Sequence, residues 1–209
     1  YAQQGFFSPV SAISETEAKE LRQDYEAAER ELHGDTDRLA LLKAYPNRLL
    51  PSFDAATRNR TLVTAAQEIL GENILVWSAA LFIKEADSTK IVSWHQDLTY
   101  WQLNDIKEVT CWLAVSSACL LYTSPSPRDR PQEISVEVDE NKAVHAELDP
   151  GQASFHHGLL FHSSGPNKTE DRRIGSAIRY ISATMKQETG DRPMVTQVSG
   201  HSDFGHFKV

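Results

Sequence analysis

Apolar positions in the first third of the chain recur every three or four residues. Ser14 and Glu17 form the two ends of a capping box, and Ala18, Leu21, Tyr25, Ala28 and Leu32 follow at helical spacing before Gly34 stops the run. A second helix is predicted from about Asn59 to Leu70, with Leu62, Ala65, Ala66 and Ile69 on one side and Gly71 as its stop. The stretch between them, "LLKAYPNRLLPSFDAATR", is less regular and carries Pro46 and Pro51. After Gly71 the texture changes to short runs rich in β-branched and aromatic residues: "NILVWSAALFI", "IVSWHQDL", "VTCWLAV", "EISVEV", "ASFHHGLLFH" and "IGSAIRYISAT". Turn signals such as "DPGQ" and "SGPN" separate them. Many short strands after a helical start predict an antiparallel sandwich or barrel with helices packed outside. No internal repeat is visible, and the polar tail from Gln187, with Gly190, Pro193 and Gly200, reads as loop.

One segment breaks the pattern. "CLLYTSPSPRD" (Cys119 to Asp129) has neither strand periodicity nor a tidy turn. Composition alone makes it a surface loop. Its eleven residues also match an in-frame translation of a transposase adapter used in sequencing libraries, which implies that native sequence was replaced here.

Composition narrows the setting. The 209 residues suffice for one domain, read as a helical part over 1–71, a strand-rich core over 72–186 and a loop region over 187–209. The chain opens at Tyr1 without a methionine and is read as a fragment at both ends. A net charge of −8 argues against nucleic acid or an anionic membrane as the main partner, since both reward a basic face. The longest apolar run, Ile74 to Ile83, is too short to span a bilayer. Two cysteines, Cys111 and Cys119, provide no disulfide framework and fit a reducing, cytoplasmic setting.

The chemistry starts at "SWHQDLTYWQL", where His95 and Asp97 sit among aromatic and apolar residues. On a strand, residues two apart project to the same side, so the pair offers one imidazole and one carboxylate together, with Gln96 facing away. A hydrogen-bonded His/Asp pair at a strand end is the bland alternative. The second cluster, "SFHHGLLFHSSGPN", puts His156, Gly158, Leu160 and His162 on one face by alternation and ends at His162 beside a turn. Two histidines and a carboxylate form the facial triad of non-haem Fe(II) oxygenases, which leaves positions open for cosubstrate and O2. Arg172 and Arg173 follow, and a guanidinium is the group suited to grip the distal carboxylate of 2-oxoglutarate. Trp94, Tyr100 and Trp101 read mainly as packing aromatics, with one of the latter two a candidate for the substrate mouth. His145, His157, His201 and His206 read as surface or packing residues, and His156 as a supporting neighbour of His162. A Zn2+ hydrolase using the same three ligands and a non-catalytic jelly-roll binding module both remain open.

Taken together, "SWHQD", Trp112 fifteen residues after Asp97, and "LLFHSSGPNKTEDRR" resemble the phytanoyl-CoA dioxygenase-like Fe(II)/2-oxoglutarate oxygenases over roughly Ile74 to Thr184. The resemblance implies a mainly β fold with flanking helices: a double-stranded β-helix (jelly-roll, cupin-like) core preceded by N-terminal helices. It implies iron held by His95, Asp97 and His162, and Arg173 on the far carboxylate of 2-oxoglutarate, because the neighbouring Arg172 points to the opposite side of a strand. It further implies that Gln96, Trp112 and Ser164 line the cosubstrate pocket, although strand parity turns Gln96 away from the metal. The implied reaction is hydroxylation of a small molecule with O2, releasing succinate and CO2. Because Asp97 is present, hydroxylation is favoured over chlorination. Asp97 and His162 are only 65 residues apart, and the "NG…L…PGSH"-like stretch usual between the two metal motifs is replaced by "CLLYTSPSPRDRPQ".

Overall fold

The structure, a computed structural model, describes residues 1–122, 143–188, 190 and 193–209. The predicted "EISVEV" strand and most of the adapter-like stretch, from residue 123 onward, lie outside the described residues.

Local chemistry builds the helical part as the sequence predicts. Helix α1 (Glu15–Glu31) is entered through a complete capping box: the Glu17 backbone N–H donates to Ser14 Oγ at 3.2 Å, and the Ser14 N–H donates to Glu17 Oε2 at 2.7 Å. Its buried residues, Ala18, Leu21 and Tyr25, lie on one stripe. The proline-bearing stretch forms three short helices, α2 (Thr36–Ala44), α3 (Pro46–Leu49) and α4 (Pro51–Thr57), with each proline at a helix start where its missing N–H costs nothing. Helix α5 (Arg60–Leu70) is capped by the Asn59 side chain and stops at Gly71, whose φ of 91° favours glycine.

Ten strands complete the described fold, in two antiparallel sheets. They are β1 (Phe6–Ser11), β2 (Ile74–Lys84), β3 (Val92–His95), β4 (Glu108–Ala114), β5 (Ala118–Tyr122), β6 (Val144–Leu148), β7 (Gln152–His156), β8 (His162–Ser164), β9 (Arg173–Ser182) and β10 (Thr196–Ser199). The major sheet runs β1-β7-β4-β9-β2-β10 and the minor sheet β3-β8-β5-β6. This is the mainly β, jelly-roll class with N-terminal helices that the sequence implies.

Strand parity explains which residues face which layer. On β4, Val109, Cys111 and Leu113 pack into the cluster shared with Tyr25, Phe53, Leu62 and Ala66 of the helices. Glu108, Thr110, Trp112 and Ala114 therefore face the other way, towards the minor sheet. On β9 the helix-facing set is Ile174, Ile178 and Tyr180, which leaves Arg173, Gly175, Ala177 and Arg179 inward. A bulge in β2 between Val76 and Ser78 swaps parity, so Ser78, Ala80, Phe82 and Lys84 join the inner face. All seven residues of β4 are buried, because helices cover one face and the minor sheet the other. Each fully buried Leu, Ile or Phe contributes about 1.5–3 kcal/mol, so this two-sided burial is what holds the inner face rigid.

Three expectations need correction. β1 precedes the helices, so the chain does not begin helical; its pairing with β7 supplies the partner that its own short pattern does not announce. The tail from Gln187 contains β10, paired with β2, and is not all loop. "ASFHHGLLFH" is not one strand: β7 ends at His156, a turn follows, and β8 starts at His162 in the other sheet. Among the described residues no helix is long and apolar enough to cross a membrane.

Candidate active site

His95 ends β3 and His162 opens β8, and the two are register partners in the minor sheet. That pairing brings their ring centroids to 4.1 Å. Asp97 is not on the strand, contrary to the i, i+2 expectation. The strand stops at His95, and Asp97 has helical dihedrals as the cap of a single 3-10 turn over Leu98–Tyr100. The turn achieves what the pleat was expected to do: Asp97 Oδ1 lies 3.5 Å from His95 Nε2 and 3.9 Å from His162 Nε2. One ligand atom from each of the three residues falls within 4.8 Å of the others.

The donor set fits a metal ion. His95 Nδ1 is 2.9 Å from the Ser93 carbonyl and His162 Nδ1 is 3.1 Å from the Leu160 carbonyl, contacts in which each Nδ1–H donates. With Nδ1 tied to a carbonyl, Nε2 of each ring is the nitrogen that faces Asp97 Oδ1 and that, once deprotonated, can ligate a metal. Burial pushes the His162 imidazole down to about 4, so it is neutral and able to coordinate near pH 7. Burial also lowers His95, but the hydrogen bond to Asp97, that to the Ser93 carbonyl and the Asp97 charge together outweigh it and leave it raised. Asp97 itself is pushed up by burial, yet the hydrogen bond from His95 and the nearby His162, Arg179 and His156 hold it well below the usual carboxylate range. It is a permanent anion, as a metal ligand must be.

A cavity of about 190 Å³ between the sheets is bordered by this triad and by Lys84, Trp112, Ser164, Arg173 and Arg179. Arg173 is buried, and its guanidinium donates to Ser164 Oγ at 3.2 Å and to the Cys119 carbonyl at 3.3 Å. Trp112 borders the same cavity, and its indole N–H has no hydrogen-bond partner among the described residues. Gly175 allows the close approach: a Cβ there would run into the Trp112 indole. Arg172 points the other way, to Glu29 at 2.7 Å and Glu85 at 2.8 Å, and ties α1 to the sheet. Gln96 is not brought to the cavity. It is 1% exposed, and its amide donates to the Leu159 carbonyl.

Other residues at the site carry no signal that the sequence reading used. Lys84 sits directly opposite Arg173 in the β2–β9 register. Its ammonium donates to Ser164 Oγ and to the Ser164 and Gly165 carbonyls, and burial beside Arg173 lowers it to about 8. Like charges directly opposite on a sheet are unfavourable, so the pair is poised to receive an anion. Arg179 follows Arg173 at an even spacing along β9 and so shares its face, a parity readable from "RRIGSAIRY". Its guanidinium rests 5.1 Å from the Trp101 ring centroid, with Nε 4.0 Å from Asp97 Oδ2. Asn167, within the "SGPN" turn, is buried and donates to the Glu85 carbonyl at 2.9 Å and the Asp171 carbonyl at 2.7 Å, pinning the link between His162 and Arg173.

The profile of the family described as Phytanoyl-CoA dioxygenase (PhyH) matches residues 1–175. The chain belongs to the phytanoyl-CoA dioxygenase family. It is 33% identical over 138 residues to the peroxisomal phytanoyl-CoA dioxygenase of Homo sapiens, covering 54% of this chain and 41% of that protein. It is 26% identical over 150 residues to a probable phytanoyl-CoA dioxygenase of Caenorhabditis elegans, covering 57% and 47%. The chain thus spans less than half the length of these relatives. Among solved structures, an apo form of the non-heme monooxygenase ThoJ superposes with a TM-score of 0.88 at 30% identity, covering 98% of this chain and 84% of that one. CytC3 with Fe(II) and alpha-ketoglutarate superposes with a TM-score of 0.76 at 18% identity, covering 100% and 89%, a likeness of fold.

Proposed function

We propose that this chain is an Fe(II)- and 2-oxoglutarate-dependent dioxygenase that hydroxylates a small-molecule substrate. The balanced reaction consumes the substrate, 2-oxoglutarate and O2 and releases the hydroxylated product, succinate and CO2. The observation that carries this reading is the sharing of one cavity by a His-Asp-His set and a pair of buried cations, Lys84 and Arg173. A redox-inert hydrolase has use for the first and none for the second.

His95 Nε2, Asp97 Oδ1 and His162 Nε2 would hold the iron, which with its cosubstrate supplies the activation of O2 and the oxidising power for hydroxylation. Arg173 and Lys84 bind the distal carboxylate of 2-oxoglutarate, with Ser164 Oγ, already held by both cations, as a hydroxyl neighbour. The Trp112 indole N–H is a further donor on the same wall. Phe82, Trp112 and Ala177 line the cavity and exclude water from the reacting region. Asp97 in the third ligand position favours hydroxylation over chlorination, because the carboxylate occupies the place a halide would need. Cys111 and Cys119 are the two cysteines of the sequence, a content that supports a reducing compartment such as the cytoplasm.

The test is succinate formation from 2-oxoglutarate, followed by mass spectrometry with Fe(II) and O2 present and a metabolite library added. Substrate-stimulated succinate that vanishes without O2 or on replacement of iron by zinc is expected. Turnover sustained by Zn2+ without 2-oxoglutarate would establish the hydrolase instead.

A further inference from the structure

Each oxygen of Asp97 has a different neighbourhood. Oδ1 faces the Nε2 atoms of His95 and His162, whereas Oδ2 faces Thr110 Oγ1 at 3.3 Å, with Arg179 Nε and His156 Nε2 each at 4.0 Å. Thr110 belongs to an inner-face row in which it pairs with Arg179 on β9 and His156 on β7, while Arg179 also pairs with Ser78 on β2. This row is the floor under the metal ligands. Beyond it lies Glu108, 0% exposed, with Oε1 at 2.8 Å from Thr110 Oγ1 and Oε2 accepting the Gly158 N–H at 2.9 Å.

Glu108 reaches Asp97 along two routes. One runs through the Thr110 hydroxyl to Oδ2. The other runs through Gly158, whose carbonyl accepts the Leu98 N–H at 3.0 Å and so fixes the first residue of the turn that Asp97 caps. Gly158 is a glycine because a Cβ there would meet the Glu108 carboxylate and, at 2.9 Å, Leu98 Cβ. A buried carboxylate with no metal role, and no ion pair among the described residues, is costly to keep unless it serves the ligand to which it is tied twice.

Resting on the oxygenase reading, we propose that Glu108 is a positioning residue for the metal ligand Asp97, acting through the Thr110 hydroxyl and the Gly158 backbone. Proton counting sets the direction of the chain. Thr110 has one hydroxyl proton and stands between two carboxyl groups, so both contacts are hydrogen bonds only when Glu108 donates to Thr110 and Thr110 donates to Asp97 Oδ2. Burial and the Asp97 charge push the Glu108 carboxyl up to about 8, which agrees with that direction. The result is a carboxylate whose second oxygen accepts from the Thr110 hydroxyl beside Arg179, leaving Oδ1 aimed between the imidazoles of His95 and His162.

The test is metal affinity, measured by anaerobic Fe(II) titration without cosubstrate, alongside kcat and KM for 2-oxoglutarate and a thermal melt. Glu108→Gln keeps both contacts, with its amide N–H2 on Thr110 and its oxygen on the Gly158 N–H; Thr110→Ser keeps the hydroxyl. Both retain metal affinity within about threefold, whereas Glu108→Leu and Thr110→Val weaken it about 10- to 100-fold, the usual cost of losing an outer partner of a ligand. The KM for 2-oxoglutarate stays unchanged where turnover persists, because Arg173 and Lys84 are untouched. Thr110→Val buries no charge, so it reports even if Glu108→Leu fails to fold. Glu108→Gln as weak as Glu108→Leu, or Thr110→Val binding iron like the unaltered chain, overturns the proposal. An unaltered chain that binds no Fe(II) overturns the oxygenase reading itself.

Discussion

Lys84→Met separates the cosubstrate pocket from mere packing, because it moves two quantities differently. Lys84 and Arg173 face each other across the β2–β9 ladder and share Ser164 Oγ as an acceptor. If both cations hold the distal carboxylate of 2-oxoglutarate, losing one charge-assisted bond costs about 1.5–3 kcal/mol. At about 1.4 kcal/mol per decade, that is roughly a 10- to 150-fold rise in the dissociation constant. Stability of the protein without cosubstrate responds otherwise. Holding the Lys84 ammonium at about 8 rather than 10.5 costs about 1–2 kcal/mol after solvent screening is allowed for. A methionine at this position relieves that cost but leaves three oxygen acceptors without their donor, so the two changes largely offset. The sign with pH is fixed: the folded lysine loses its proton more readily than the unfolded one, so the cost is fully present below about pH 8 and fades as pH rises to 10.5. The unaltered chain therefore gains stability across that window, and Lys84→Met lacks this gain. Isothermal titration of 2-oxoglutarate into the metal-loaded protein, with urea melts at about pH 7 and 9.5, measures both. Unchanged cosubstrate affinity in the variant would refute the role given to Lys84.

Arg172→Ala removes ion pairs to Glu29 and Glu85 that join α1 to the sheet and lowers stability by about 1–2 kcal/mol, between exposed and buried ion pairs. It leaves 2-oxoglutarate affinity unchanged, whereas Arg173→Ala weakens it by at least about tenfold; calorimetry on both variants checks the division of labour. Gly175→Ala drives a methyl into the Trp112 indole and costs about 1–3 kcal/mol, visible as a melting point lower by about 2–4 °C per kcal/mol. Raising pH from about 7 to 9.5 weakens 2-oxoglutarate binding by roughly tenfold per unit above pH 8, as Lys84 loses the charge that grips the carboxylate. The Lys84→Met variant, titrated the same way, shows no such fall.

Much of this architecture is legible from spacing. The capping box at Ser14 and Glu17, the Asn59-to-Gly71 helix and the inward and outward alternation of β9 are local features, and local chemistry determines them. The metal residues stand out because their types are chemically unusual among apolar neighbours, although the geometry differs from the expected one: Asp97 arrives by a turn, not a pleat. Lys84 escapes a reading of the sequence because the β2 bulge shifts its parity, and a bulge leaves no clear mark in "ILVWSAALFIK". Glu108 and Thr110 escape it for another reason. Their meaning depends on β4 lying beside β7 and β9, which are far away in sequence. The adapter-like stretch enters the described structure only through β5. The site takes from it the Cys119 carbonyl bound by Arg173, and a backbone group is supplied by any residue at that position.

The proposed reaction requires that one cavity bind Fe(II) through His95, Asp97 and His162 and 2-oxoglutarate through Arg173 and Lys84. Anaerobic absorption spectroscopy tests it directly. Adding 2-oxoglutarate to the Fe(II)-loaded chain is predicted to produce a metal-to-ligand charge-transfer band in the visible range, absent with either component alone and abolished in His162→Ala. No band at saturating Fe(II) and 2-oxoglutarate, or a band that survives His162→Ala undiminished, would contradict the account.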